Sequence, residues 1–241
     1  IFGTAMHEVL QNYLTVMYST TAKKADEIDL ASDLQSRLVT LYGEAANKTG
    51  HFSNPEELQE FWKDGVAILD YFKKNRRIYF SSRHHELLGI ETELKVDLVN
   101  NLRFKGFVDI IIRDKRDGRI NIIDLKTATR GWNKYQKKDH KKTAQLVLYK
   151  TFYAKQFGVD EDMIDVEYII LRRKINEDSE WPMKRIQTFS PANGKPTRNK
   201  IGKLLQEFID TAFNLDGTYN MDLNIDIPKC KDKWCKYCRA K

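Results

Sequence analysis

Two aspartates and a lysine in the middle of the chain are the residues best suited to chemistry. The stretch NIIDLKT, residues 121 to 127, has the apolar residues of a buried strand, yet it also carries Asp124 and Lys126. Residues two positions apart in a strand share a face, so these opposite charges are neighbours. The apolar run FKGFVDIIIRD, just before it, carries Asp109. Carboxylate oxygens brought together in this way predict a site for a divalent cation.

The residues KRDG between the two strands predict a tight hairpin, and residue numbers then give its register. If the turn centres on Arg116 and Asp117, Asp109 lies directly opposite Asp124, with Cβ atoms roughly 4.5–5.5 Å apart. If it centres on Asp117 and Gly118, the two aspartates are diagonal neighbours about 7–8 Å apart. Both registers put the carboxylates on one face, and both leave room for a cation between them.

Buried carboxylates on apolar strands need compensating charge. They repel each other, and their desolvation costs several kcal/mol per ion when nothing neutralises them. Lys126 offsets one negative charge. Mg²⁺ or Mn²⁺ would offset the rest, because hard cations prefer oxygen ligands. We therefore expect a metal site here, rather than two strands that simply leave the core where their charges occur.

The rest of the chain predicts the elements that position these residues. Before about residue 80, apolar residues at helical spacing indicate three helices: one in FGTAMHEVLQNYLTVM, one ending near Gly43, and one beginning at Asn54 and Pro55. A fourth helix is predicted over residues 140–157, closed by Gly158. Period-two and continuous apolar runs then predict strands. These are ETELKVDLV, FKGFVDIIIRD, RINIIDLKT, DVEYIILRR and MKRIQTFS, followed by a last helix, NKIGKLLQEFIDTAF.

This order of elements, without a repeat or a linker, predicts one α/β domain over residues 1–241. We divide it into a helical part at about 1–80, a sheet with its helix at about 86–190, and a C-terminal helix and cysteine-bearing tail at about 191–241. The first residue is Ile1 rather than a methionine, which suggests a fragment of a longer protein.

Composition and the absence of long apolar runs limit the kinds of partner and the cellular compartment that we expect. The chain has 41 lysines and arginines against 34 acidic residues, and its net charge of +7 permits a polyanionic partner without proving one. No apolar run approaches the roughly 18 residues that a membrane span needs. Neither end resembles a secretory signal, so we expect a cytoplasmic protein.

Five short motifs resemble the PD-(D/E)XK nuclease superfamily. GFVD, fourteen residues and then DLK resemble its D…(D/E)xK core. GTAMH resembles the GxxxH helix of the RecB-like branch, which includes AddB-type and CRISPR-associated exonucleases. QLVLY resembles the QxxxY helix of that branch, and IETEL supplies an acidic residue one strand before the hairpin. The motifs follow the family order and run from residue 3 to residue 149.

The resemblance implies a restriction-endonuclease-like core, a central mixed sheet flanked by helices. It also implies Mg²⁺- or Mn²⁺-dependent hydrolysis of DNA phosphodiesters, most typically by an exonuclease in recombination, repair or processing, with a helicase or recombination partner. The host would be a bacterial, archaeal or phage-infected cell. Two alternatives stay open: a catalytically silent DNA-binding or scaffolding module, and a structure-selective endonuclease.

The same resemblance assigns roles to individual residues. Lys126 would orient or polarise the attacking water, and Gln145 and Tyr149, one helical turn apart, would position the substrate backbone or the Lys126 side of the site. The metal ligands it implies are His7, Asp109, Asp124 and the backbone carbonyl of Leu125.

Two of these assignments involve a choice. Glu91 and Glu93 both project to one side of an alternating strand, and we favour Glu91 because it follows the apolar stretch LLGI. His7 alone would be an ordinary surface-helix histidine. Gly3, four residues earlier, favours the functional interpretation, because a glycine lets a strand or the DNA backbone come close.

The three cysteines lie in the tail PKCKDKWCKYC, and their odd number and close spacing argue for a metal rather than a disulfide framework. The resemblance implies a [4Fe–4S] cluster held by three C-terminal cysteines and a fourth upstream of the GxxxH helix, which would join the two ends of the domain. Zinc is the alternative, and three free thiols are the third interpretation. The residues are Cys230, Cys235 and Cys238.

A basic and aromatic stretch, TRGWNKYQKKDHKK, follows the DLK strand. Arg130 and Lys134 could contact phosphates, while Trp132 and Tyr135 could stack on unpaired bases. A solvated loop is the competing interpretation.

Overall fold

A five-stranded mixed sheet forms the centre of the protein in the computed structural model, which describes residues 1–49, 54–176, 180–181 and 183–222. The strands are β1 (His85–Asp97), β2 (Arg103–Asp114), β3 (Ile120–Ala128), β4 (Ile164–Arg172) and β5 (Ile186–Phe189). The helices are α1 (Phe2–Ser19), α2 (Ala22–Asp26), α3 (Leu30–Thr49), α4 (Pro55–Tyr79), α5 (Lys134–Lys137), α6 (His140–Phe157) and α7 (Lys195–Ala212). Among the described residues, no helix is both long and apolar enough to cross a membrane.

The strands are arranged in the order β1-β2-β3-β4-β5. All neighbours are antiparallel except β3 and β4, which run parallel. A parallel pair needs a crossover connection, and α6 provides it. The α/β fold with a central mixed sheet and flanking helices is therefore confirmed.

Local sequence explains where the two best-defined helices begin and end. Asn54 caps α4, since its side chain accepts a hydrogen bond from the Glu57 backbone, and proline occupies the first helical position. Asp139 caps α6 in the same way, and α6 ends at Gly158 in a left-handed conformation with φ of 66°. The predicted bounds of α6, 140 and 157, are confirmed.

Two hydrophobic cores cover the two faces of the sheet. The first core joins α1, α3 and α4 to one face, and α1 contributes its buried stripe of Met6, Val9, Leu10, Tyr13, Leu14 and Met17. The second core packs α6 against the other face. On β3, Ile123 belongs to the first core and Ile122 to the second, as strand alternation requires. Both α1 and α6 are thus packed against the middle of the sheet.

Several predicted element ends differ from the structure. Strand β1 begins six residues before its predicted stretch, and α7 begins four residues before its own. Helix α3 continues past Gly43 to Thr49, because an interior glycine costs only about 1 kcal/mol and tertiary packing outweighs it. Tyr42 supplies part of that packing, with its ring 6.4 Å from the ring of Phe61 on α4. Strand β5 has four residues, fewer than the stretch MKRIQTFS predicted.

Gly65 on α4 gives a test of how tightly this helix packs against its neighbours, and Gly43 on α3 is the control. A Cβ atom at the buried Gly65 would lie 2.4 Å from Leu34 Cδ2 and 3.1 Å from Met6 Sδ, whereas one at the exposed Gly43 would contact nothing. We expect Gly65→Ala to lower the free energy of unfolding by about 1–3 kcal/mol through overpacking. Gly43→Ala should raise it by about 0.5–1 kcal/mol, because alanine favours a helix interior. Urea titrations measure both, and changes of the same sign would contradict the packing described.

Candidate metal centre and active site

The site lies where β2 and β3 separate. Their ladder contains the pairs from Arg113↔Ile120 to Ile110↔Ile123 and then ends, although β2 stays paired with β1 and β3 with β4. This register is the one that places Asp109 opposite Asp124. Instead of a further ladder bond, Asp109 Oδ2 accepts a hydrogen bond from the Leu125 backbone at 2.7 Å. A carboxylate thus occupies the opening between the two strands.

In β2, the alternation of side chains between the two faces of the sheet is interrupted at Asp109. Ile110 packs in the first core, whereas Val108, two residues earlier, packs in the second. Residues two apart normally share a face, so the strand turns over at Asp109. This turn lets the strand carry a polar side chain into the site while the residues on both sides of it remain in apolar cores.

Glu91 is the matching irregularity in β1. The β1–β2 register places it opposite Asp109, and its φ is +46°, in the left-handed region that non-glycine residues rarely adopt. Such a conformation costs about 1–3 kcal/mol and persists only where surrounding contacts enforce it. It occurs here at a residue that the sequence had already marked as a site candidate.

His7, Glu91 and Asp109 form a compact group. One potential ligand atom from each lies within 4.8 Å of the others, and His7 Nδ1 is 3.7 Å from Asp109 Oδ2. That distance is too long for a hydrogen bond. Helix α1, which carries His7, runs close to β3 at Gly3: a Cβ atom there would lie 3.1 Å from Thr127 Oγ1, a tight contact. The glycine thus faces a strand. A strand and the DNA backbone were the two neighbours expected there from the sequence.

Gln11 completes this half of the site, and sequence reasoning missed it. Its side chain is only 6% exposed, and its Nε2 donates to Glu91 Oε1 at 2.6 Å and reaches the Asp109 carbonyl at 3.4 Å. The available signal was a polar residue one turn after His7 within the apolar stripe of α1.

Asp124 belongs to a second group on the α6 side of the sheet. It is 2% exposed, and its Oδ2 lies 2.5 Å from Lys126 Nζ. Its Oδ1 accepts a hydrogen bond of 3.0 Å from Gln145 Nε2, which also lies 3.3 Å from the Tyr149 hydroxyl. Helix α6 thus brings Gln145 and Tyr149 to the aspartate.

Tyr168 supports this second group and was not predicted. It is the partner of Asp124 in the β3–β4 ladder. Its hydroxyl donates to the Lys142 carbonyl at 2.7 Å and lies 3.2 Å from Gln145 Oε1, on the side of the amide away from Asp124. A lone tyrosine inside the apolar run VEYIIL gave little reason to single it out.

Burial controls the charges of the site. It raises the pKa of Asp109 to about 6, against the hydrogen bond from Leu125, and the negative charge of Glu91 adds to the rise. Burial also raises the pKa of Asp124 to about 6, against the attraction of Lys126. For His7, burial lowers the pKa below its usual value, although nearby carboxylates oppose this. The imidazole is therefore neutral near pH 7, the form that binds metals.

The residues present fit a divalent cation. Asp124 Oδ2 is buried and, apart from Lys126, has no partner among the described residues. Glu91 and Asp109 bring two further carboxylates beside a neutral imidazole, a donor set suited to Mg²⁺ or Mn²⁺. A cleft of about 530 Å³, lined by His7 and Leu125 among others, gives access from solvent.

The grouping differs in one respect from the expected ligand set. His7 and Asp109 lie together as expected, and the Leu125 backbone is adjacent to both. Glu91 is the third member of the compact group, whereas Asp124 lies outside it, bound to Lys126 and Gln145. Strand parity alone could not show this, because the two strands separate before reaching the aspartates.

Glu93 lies away from both groups. Its carboxylate forms an exposed ion pair of 3.2 Å with Lys105, a diagonal neighbour on β2. Of the two glutamates considered from the sequence, the structure brings only Glu91 into the site.

Of the four residues predicted to contact nucleic acid, three are exposed and one is buried. Arg130, Lys134 and Tyr135 are exposed, and Tyr135 is 72% accessible. Trp132 is 8% exposed, with its ring 4.8 Å from the ring of Tyr168, so the expectation that it stacks on a base is wrong. Its apolar area is used in the second core instead. Cys230, Cys235 and Cys238 lie outside the described residues.

Comparison with known families agrees with this geometry. The sequence matches the family model of the PD-(D/E)XK nuclease superfamily over residues 1–241. A search of curated proteins found no match.

Asp124 should make the metal-free protein less stable at neutral pH than at low pH. Because its pKa is raised to about 6, the stability that depends on the neutral carboxyl is present below about pH 4 and is lost as the pH rises through about 6. In EDTA at about pH 8, we expect the free energy of unfolding of Asp124→Asn to be roughly 2 kcal/mol higher than that of the wild type. The difference should vanish toward pH 4 in urea titrations.

Asp114→Asn is the control, for which we expect the opposite change in the free energy of unfolding. The guanidinium of Arg116 lowers the pKa of Asp114, so the wild-type carboxylate stabilises the fold above its unfolded-state pKa. This variant should be less stable than the wild type at pH 8. An Asp124→Asn protein that is also less stable at pH 8 would mean that the attraction of Lys126 outweighs burial.

Proposed function

Because the chain belongs to the PD-(D/E)XK nuclease superfamily, we propose that it is a Mg²⁺- or Mn²⁺-dependent deoxyribonuclease of the RecB-like branch. It would act as an exonuclease on DNA ends or single strands during recombination, repair or processing. The observation that carries the proposal is the grouping of His7, Glu91 and Asp109 next to the buried pair of Asp124 and Lys126.

His7, Glu91 and Asp109 would hold the cation, and Asp124 and the Leu125 carbonyl are the further ligands that the motifs imply. A bound Mg²⁺ or Mn²⁺ supplies a water of lowered pKa and offsets the negative charge that grows on the phosphate. The neutral imidazole and the carboxylates come from three separate elements, α1, β1 and β2, so the packing of the fold defines the ligand geometry.

Lys126 is the proposed water-positioning residue. Its Nζ is paired with Asp124, but its side chain is 34% exposed and lines the cleft. The ammonium group can therefore donate a hydrogen bond to the oxygen of the attacking water and stabilise charge on the phosphate. Gln145 occupies Asp124 Oδ1, which leaves Oδ2 facing Lys126.

Substrate binding would rely on positive charge next to the cleft. Arg130 and Lys134 follow β3 directly and are exposed, so phosphate contacts there are consistent with a DNA backbone leaving the site. Tyr135, also exposed, can stack on an unpaired base, which favours single-stranded DNA.

Digestion of linear and circular DNA tests this function. With Mg²⁺ or Mn²⁺ we expect degradation of linear DNA, none in EDTA, and little on covalently closed circles if the enzyme needs an end. Asp124→Ala, Lys126→Ala and Glu91→Gln should each lower the rate at least about a hundredfold, since each removes charge from the reacting centre. Glu93→Gln is the matched control and should stay within about twofold, because exposed ion pairs contribute little.

Activity that survives in both Asp124→Ala and Lys126→Ala would overturn the site. A folded wild type that binds DNA but cleaves none would favour a catalytically silent binding module. Cleavage of circles at junctions or flaps would identify a structure-selective endonuclease instead.

For the cysteines we propose a [4Fe–4S] cluster, with zinc as the alternative, on the basis of the family resemblance and their close grouping in the tail. Protein purified anaerobically should be brown and contain iron and sulfide, and Cys235→Ser should lose the colour. A colourless protein that contains zinc would support the alternative. A colourless protein without either metal would leave the three thiols free.

A further inference from the structure

Gln11 lies between the two irregular strands of the site. We propose that it is a positioning residue: its side-chain amide holds the Glu91 carboxylate, in its left-handed backbone conformation, against the cation site. Gln11 Nε2 donates to Glu91 Oε1 at 2.6 Å and reaches the Asp109 carbonyl at 3.4 Å, so one amide connects α1 to both β1 and β2. This inference rests on the proposed metal-dependent function.

The location of Gln11 argues for a specific role. It is 6% exposed within the buried stripe of α1, where a polar side chain is costly unless it is hydrogen-bonded. Its one short side-chain hydrogen bond goes to a carboxylate 80 residues away in sequence. An apolar residue would pack in this stripe more cheaply, so packing alone does not account for the glutamine.

The chemistry of the amide suits the task. A lysine at this position would neutralise Glu91 and compete with the cation, and a second carboxylate would repel it. A neutral amide donates to one carboxylate oxygen and leaves both the negative charge and Oε2 for the metal. Hydrogen bonds of this kind orient metal ligands in many proteins, and their loss typically lowers metal affinity about 10–100-fold.

Glu91 needs such a constraint because it is exposed and its backbone is strained at φ of +46°. Without the amide, the carboxylate is free to turn into solvent. We therefore expect Glu91 to leave the ligand group more readily than His7 or Asp109.

Mn²⁺ binding to the purified chain without DNA, followed by electron paramagnetic resonance of free Mn²⁺, tests the inference. Gln11→Met keeps length and packing but removes the donor, and we expect its affinity to fall at least about tenfold. Gln11→Leu should behave alike and serves if the first variant does not fold. Met17→Ala, a buried change elsewhere on α1, should lower stability while leaving Mn²⁺ affinity unchanged.

A double-mutant cycle shows whether Gln11 acts through Glu91. In a Glu91→Ala background, Gln11→Met should cost no further affinity. An equal loss in both backgrounds, or wild-type affinity in Gln11→Met, would overturn the inference and leave the proposed function intact. Mn²⁺ binding that does not depend on His7 or Asp109 would overturn both.

Discussion

Carboxylates that repel one another are held together in an opening of the sheet that is largely shielded from water, and the rest of the site depends on this constraint. Asp109 and Asp124 occupy the point where β2 and β3 part, and burial raises the pKa of both. Lys126 is the cation that contacts Asp124, and no ammonium group is paired with Asp109 among the described ion pairs. The uneven compensation leaves negative charge on the His7 side, where a divalent cation would complete it.

The surrounding fold can maintain this arrangement because two cores hold it from both faces of the sheet. Helix α1 is fixed by its apolar stripe and by close approach to α4 at Gly65 and to β3 at Gly3. Helix α6 is fixed at both ends by its caps and presents Gln145 to Asp124. The strain at Glu91 is tolerated for the same reason, since the neighbouring strand and helix leave it little freedom to relax.

The two halves of the site suit different chemistry. On the α1 side, a neutral imidazole and two carboxylates form a group that could hold a cation, and no ammonium group pairs with them among the described ion pairs. On the α6 side, Lys126 and Gln145 control the two oxygens of Asp124 separately. Asp124 therefore has a partner for each of its oxygens on the α6 side, whereas the ligand group lies on the α1 side. These two partners offset part of the cost of burying the Asp124 carboxylate.

Local patterns were sufficient to predict much of this protein. The bounds of α6, the cap of α4, the buried stripe of α1 and the shared face of Asp124 and Lys126 all follow from residues close in sequence. The order of the motifs also indicated the superfamily. Tertiary structure alone decided between the two hairpin registers, turned Glu91 into the site, recruited Gln11 and Tyr168, and buried Trp132. Each of these depends on contacts between residues far apart in the chain, where packing and burial outweigh local preference.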